Sequence, residues 1–443
     1  MYPQKEANKQ YKAYTTRNIH KIEHFNKLPE DVLTAIRVVS KVLPFRVSNY
    51  VVDELINWHN IPEDPIFQLV FPQKGMLAED DYNKIETLMA EESDNKALDA
   101  VVKDIRNRMN PHPAGQMEMN VPVLNGKRYP GMQHKYGETV LFFPSQGQSC
   151  HSYCTYCFRW AQFIADEDIK FASKDIDELI EYLEAHPEVT DVLITGGDPL
   201  IMGSKVIRRY VEPLLKKKPG NLSTIRFGTK VLSFWPYRFF SDRDSSDLMN
   251  LFEEIVESGL NLAIMSHFSH YRELETEAVK HALGLLSKTG AVVRCQAPLI
   301  KHINNDAEVW AKMWKKQVEN AAVPYYMFIE RDTGPKEYFS VSLADAYKIF
   351  TDAYKNVSGL ARTVRGPSMS ASPGKVLISG VSELFGEKVF VLKFIQARDP
   401  EWVNKVFYAK YDENACWLDD LKPAFGEKEF FFEKRLNQIK NGL

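Results

Sequence analysis

At 443 residues, with 44% hydrophobic and 12% aromatic side chains, the chain can bury one large core or fold as two to three ordinary domains. A formal net charge of −3 supplies no basic field for nucleic acid. No apolar run approaches the roughly 20 residues of a membrane span, and the N-terminal stretch lacks the apolar core and small-residue cleavage site of a secretory signal. The expected location is the cytoplasm, with neither membrane nor nucleic acid as partner.

The first third reads as helical, over 28–42, over 49–59 and through a charged stretch at 79–109 that Pro111 and Pro113 end. Residues 115–132 are rich in Gly, Pro and Asn and read as a linker. From about residue 138 short β-branched or aromatic runs appear at 138–144, 191–196, 224–229, 260–267, 291–299 and 324–331. Amphipathic stretches at 173–186, 204–217, 245–259, 274–288, 306–320 and 342–355 alternate with them. Six strand–helix units in a row imply parallel strands with right-handed crossovers, wound into an open sheet or curled into a partial barrel. In both, ligands bind beyond the C-terminal ends of the strands. The organisation expected is a helical segment and linker at 1–125, the β/α unit at 126–357 and a C-terminal segment at 358–443. Near the end, FGEKEFFFEKRL reads as core packing or an oligomer contact.

There are five cysteines, and Cys150, Cys154 and Cys157 crowd together as C-x3-C-x2-C directly after the first strand of the series. Cys295 and Cys416 stand alone, so this is no secreted disulfide framework but a metal site in a reducing compartment. Three thiolates suit a cuboidal [4Fe–4S] cluster whose fourth iron has no protein ligand. A zinc site with His151 or a distant fourth ligand is the alternative, although zinc cysteines usually come as two pairs and no second pair exists. Three unligated core cysteines fit poorly with the intervening polar residues His151, Ser152 and Thr155.

This triad at the head of six β/α units resembles the radical S-adenosylmethionine (SAM) superfamily. There SAM chelates the open iron, and one electron from the cluster cleaves it to methionine and a 5′-deoxyadenosyl radical. The second strand ends in TGGDPL, where the resemblance places Gly196 and Gly197 with free backbone beside the SAM amino group, next to Asp198. Within the superfamily, LPFRVSNY, DPIFQLVFP, HKYGETVLFFP, CFR, GGDPL, RFGTKV, SHFSH, QAPLIKHINND, PYYMFIERD and PGK resemble, in order over roughly 40–380, the lysine 2,3-aminomutase family.

The resemblance implies a partial (β/α)6 barrel with a helical N-terminal segment and a C-terminal extension. It implies an isomerase, an amino acid 2,3-aminomutase that uses SAM and pyridoxal 5′-phosphate (PLP) to move an α-amino group to the β-carbon. Tyr156, Gly196, Gly197, Asp198, Lys230, His267 and Gln296 would line the SAM pocket. Lys375 would form the Schiff base with PLP, with Lys135 and Tyr136 near the cofactor. Arg159 would grip the substrate carboxylate, and Asp332 would be one of two acids that hold a side-chain amine.

The chain also departs from the family. Lys135 and Thr139 stand where arginines are usual, and GPSMSASPGK replaces a glycine run led by Asp, though its serines and amides can cradle a phosphate. The second acid has no counterpart; Ser368 or Ser370 occupies its neighbourhood. An α-amino acid substrate is expected, without lysine being singled out. A flavodoxin or ferredoxin as reductant and a homo-oligomer complete the expectation, and the lone Cys416 argues against a C-terminal zinc site. Two other readings stand: a PLP-independent radical epimerase, oxidase or lyase acting on an amino acid or aminoacylated side chain, and a non-catalytic iron–sulfur scaffold.

Overall fold

The computed structural model describes residues 9–91, 95–110, 119–163 and 172–441. Helix α1 (Glu30–Val42) buries Val32, Ile36 and Val39 along one stripe. The helix expected over 49–59 begins at residue 49 but stops at Leu55, its Val51–Leu55 part wound as one wide turn. Tertiary donors claim the carbonyls that a longer helix would use: Trp58 Nε1 donates to Val52 O at 3.0 Å, and Arg272 donates to Leu55 O. Asp64 then caps α2 (Pro65–Val70), accepting from Ile66 N and Phe67 N at 3.1 and 2.9 Å. The charged stretch forms α3 (Glu79–Ala90) and α4 (Asn95–Met109). Of the expected linker, 115–118 lie outside the described residues; the remainder holds a small ladder of Val123–Leu124 with Lys127–Arg128 and runs into the main sheet.

That sheet begins with the antiparallel pair β1 (Met132–Tyr136) and β2 (Thr139–Phe142). The chain continues through α5 (Ile176–Ala185), β3 (Asp191–Ile194), α6 (Ser204–Lys217), β4 (Thr224–Thr229), α7 (Ser245–Glu257) and β5 (Asn261–His267). It goes on through α8 (Glu277–Lys288), β6 (Val292–Leu299), α9 (Ala307–Glu319), β7 (Val323–Ile329), α10 (Leu343–Lys355) and β8 (Arg365–Ser370). Strands β2 to β8 are all parallel and lie in chain order, so every expected strand and crossover helix of the series is present. Three antiparallel strands, β9 (Gly374–Leu384), β10 (Glu387–Ala397) and β11 (Val406–Lys410), extend the same sheet, and α11 (Glu433–Lys440) follows.

Alternation along the strands sets the layers. Val140, Phe142, Val192, Ile194, Ile225 and Phe227 are fully buried against the helices, while Leu141, Leu193 and Arg226 point to the less enclosed inner face. The sheet curls until its two ends meet through side chains. Lys135 on β1 donates from Nζ to Ala371 O at 2.5 Å, and Lys375 Nζ of β9 lies 6.0 Å from the Tyr136 ring centroid. This is a partial barrel, flanked by the helical N-terminal segment and the C-terminal strands. Phe430 and Phe432 are buried against Phe394 and Phe407, so the aromatic run near the C-terminus packs the core beneath β10 and β11.

Candidate active site

The three clustered cysteines lie on a loop after β2 that the N-terminal segment frames. Arg46 donates from Nη1 to Ser149 Oγ (2.6 Å) and Cys150 O (3.1 Å), and Tyr11 Oη donates to His151 O (2.8 Å). Ser48 N donates to Ser152 Oγ (2.9 Å), and Thr155 donates from N and Oγ1 to the α2 carbonyls of Leu69 and Gln68 (2.9 and 2.7 Å). Loop conformation is thus dictated by partners about a hundred residues upstream. Burial pushes the Cys154 and Cys157 thiols up to about 12 and about 11, so without a ligand they stay protonated. Among the described residues no three His, Cys, Asp or Glu side chains are gathered tightly enough to hold a single ion. A cuboidal cluster takes one thiolate per iron and accepts a wider set. Burial takes the His151 imidazole down to about 3, leaving it neutral.

The end of β3 is fitted to this loop. A Cβ on Gly197 would stand 2.6 Å from Ser149 O and 2.7 Å from Ser149 N, and one on Gly196 would stand 2.6 Å from Gln148 Nε2. Gly196 also has φ of +157°, which L side chains rarely adopt. Both glycines therefore let the strand end pack onto the residues that lead into Cys150. Asp198 is buried and accepts from Leu200 N (3.0 Å), Thr229 Oγ1 (2.7 Å) and Lys230 N (2.9 Å), tying β3 to β4. Burial lifts its carboxyl to about 6 against those hydrogen bonds.

Lys230 is committed to a buried network. Its Nζ donates to Glu273 Oε1 (2.7 Å) and Ser269 Oγ (3.2 Å), and Ser269 Oγ also meets Tyr156 Oη at 2.9 Å. His267, at the end of β5, and its register partner Gln296, within β6, bond through Nε2 atoms at 2.7 Å. Burial and then Lys230 hold His267 down at about 3, so its ring accepts from the amide. Arg159 donates to Gly196 O at 3.1 Å and stacks on Phe143 at 4.3 Å.

The remaining candidates sit where the curled sheet's ends meet. Lys375 Nζ donates to Gln396 Oε1 (2.8 Å) and lies 4.2 Å from the Tyr326 ring centroid. Burial, then Arg365 and Arg226, lower its pKa to about 7. Lys135 and Tyr136 approach from β1, and Asp332 Oδ1 lies 3.7 Å from Arg331 Nε. Thus the cysteine triad, the glycines, Tyr156, Asp198, Lys230, His267, Gln296 and Arg159 share one connected framework. Lys135, Tyr136 and Lys375 share another, joined across the gap between β1 and β9.

Five residues here escape sequence reasoning. Arg46 lies inside LPFRVSNY, but nothing in the motif says that it grips the cysteine loop. Glu273 has no local signal. Gln396 and Arg398 reach the site only through sheet pairing. Glu330 is the last: it directly follows the end of β7, and neither carboxyl oxygen has a hydrogen-bond partner among the described residues. Burial alone drives its pKa well above the usual carboxylate range.

The three cysteines follow the first parallel strand of a β/α barrel, and a family model described as a 4Fe-4S single cluster domain matches residues 136–268. A relative in Aquifex aeolicus, provisionally named L-lysine 2,3-aminomutase, is 30% identical over 406 residues, covering 92% of this chain and 95% of its own length. The L-lysine 2,3-aminomutase of Acetoanaerobium sticklandii is 29% identical over 52% of this chain and 52% of its own. The chain belongs to the lysine 2,3-aminomutase family of radical SAM enzymes. A solved structure titled native anSMEcpe with bound AdoMet and Kp18Cys peptide overlaps at 14% identity and a TM-score of 0.35, over 49% of this chain and 59% of that one.

Proposed function

We propose that the protein is an amino acid 2,3-aminomutase that uses PLP as well as SAM. The observation that carries this reading is Lys375, a buried amine with a pKa of about 7, set against Tyr326 and Phe328 of β7 and facing Tyr136 of β1. An amine that is uncharged near neutral pH is the nucleophilic form that bonds a carbonyl cofactor. When bound, SAM on the cluster supplies a carbon-centred radical, and PLP supplies an acceptor for the migrating nitrogen.

Cys150, Cys154 and Cys157 would hold the cluster. Gly196 and Gly197 bring the β3 end against the cluster loop, and Asp198, Tyr156 and Lys230 fix the strand ends around SAM. His267 and Gln296 face the interior as a neutral donor–acceptor pair. Arg159 presents a desolvated guanidinium, with its pKa lowered to about 10 by burial, to a substrate carboxylate. Asp332 takes a substrate amine only in competition with Arg331, which fits an α-amino acid without singling out lysine.

The test uses anaerobically reconstituted protein with dithionite, SAM and a panel of amino acids, quantifying 5′-deoxyadenosine and β-amino products. Borohydride treatment after PLP addition, with peptide mapping, locates any fixed cofactor. Deoxyadenosine together with a label on Lys375 supports the reading. Deoxyadenosine without the label leaves a radical SAM enzyme and removes PLP.

A further inference from the structure

The turn that precedes Lys375 is bracketed by two cations. Lys135 donates from Nζ to Ala371 O (2.5 Å), and Arg398 donates from Nε to Ser372 O (2.8 Å) and from its backbone N to Pro373 O (3.0 Å). Arg398 follows directly on the pairs Lys375–Gln396 and Gly374–Ala397, so β10 carries it back to the same turn. Its remaining contacts, Met119 O (3.5 Å) and Asn120 Oδ1 (2.5 Å), are neutral acceptors. Among the described residues no carboxylate pairs with Lys135 or Arg398, whereas neighbouring Arg331 faces Asp332 and Asp419. The turn turns carbonyls, not amides, toward these cations, and Pro373 has no amide to offer. An amide cradle of the kind the serines of GPSMSASPGK suggest is therefore not how this turn treats an anion.

We propose that Lys135 and Arg398 bind the phosphate of PLP, Arg398 of the C-terminal segment providing the guanidinium that position 135 lacks. This rests on the PLP reading above. A phosphate with close to two negative charges at neutral pH compensates both cations at once, and a guanidinium fork matches its oxygens as a lysine alone does not. The Lys135 ammonium is held well below its usual pKa first by burial and then by Arg398, Arg331 and Lys375, a strain that an anion relieves.

The experiment compares equilibrium binding of PLP and of pyridoxal, which lacks the phosphate, to the cluster-reconstituted protein freed of PLP. Wild type, Arg398→Gln and Arg398→Lys are compared by absorbance, with thermal unfolding as the folding control. Wild type prefers PLP, and Arg398→Gln lowers that preference about 10- to 100-fold, the scale of a charged hydrogen bond. Affinity for pyridoxal stays within about twofold, and Arg398→Lys restores part of the preference. An equal loss for both ligands in Arg398→Gln would mean that Arg398 merely braces the turn, and it overturns the proposal. So does a wild type that binds both equally. If neither ligand attaches to Lys375, the PLP reading fails separately, and calorimetric titration with inorganic phosphate decides. Phosphate binding lost in Arg398→Gln keeps the anion site, and its absence in wild type sinks it.

Discussion

At Lys375 a pKa of about 7 makes roughly half the amines uncharged at neutral pH, whereas an unperturbed lysine near 10.4 is almost wholly protonated. The rate at which PLP becomes trappable on Lys375 should therefore climb through pH 6–8 with a midpoint near 7. Stopped-flow absorbance across pH measures it, and a midpoint above 9 would contradict the burial argument. Lys375→Ala should abolish the trapped label. Glu330 works in the opposite sense. Its folded-state pKa is raised above the unfolded value, so the folded chain holds a proton that the unfolded chain releases. Stability is full below the unfolded carboxyl pKa and falls by about 1.4 kcal/mol per pH unit above it, until the folded pKa is reached. Glu330→Gln should then raise the thermal midpoint at pH 8 and leave it unchanged near pH 4. A stabilisation that does not vary with pH would mean that the carboxyl has a partner and is already ionised.

Between the cysteine loop and the β3 end, contact is backbone on backbone, with Asp198 N donating to Ser149 O at 2.8 Å and Gly197 N to Gly147 O at 3.0 Å. Gly197→Ala puts a methyl 2.6 Å from Ser149 O, where no flexible side chain can give way. The expected cost is about 1–3 kcal/mol, together with a displaced loop. Iron and sulfide per chain after reconstitution should fall well below wild type while far-UV circular dichroism stays the same; full iron loading would show that the loop shifts harmlessly. Elements of this kind were legible because their signals are local. Six amphipathic helices follow from 3.6-residue periodicity, and the cysteine triad and GGDP are contiguous in the chain. The early end of the helix expected over 49–59 was not legible, since the carbonyls of Val52 and Leu55 are taken by Trp58 and by Arg272, the latter more than two hundred residues downstream. The β9–β10 hairpin does carry a signal, alternating apolar residues around Phe385 and Gly386, both at positive φ, that a count of strand–helix units leaves out.

Seen over the whole molecule, the sheet runs without a break past residue 358. β8 pairs in parallel with β7, and β9 to β11 bury Val376, Ile378, Leu392 and Phe394 in the core that the barrel strands share. This explains why site residues such as Gln396 and Arg398 are silent in the sequence: only the curl of eleven strands brings residue 398 beside residues 119–120 and the turn that Lys135 also grips. A chain ending at residue 357 would lose one of the two ladder partners of β7 and uncover Met327 and Tyr326, now buried. Such a truncation should therefore not survive as a separately folded barrel. Expressed alone, it should show weak near-UV circular dichroism and no cooperative thermal transition, whereas the full chain should melt in one transition by calorimetry. Two resolved transitions in the full chain, with the earlier one absent from the truncation, would mean that the C-terminal strands fold as a unit of their own. The paired cations at the Lys375 turn would then form after the barrel rather than with it.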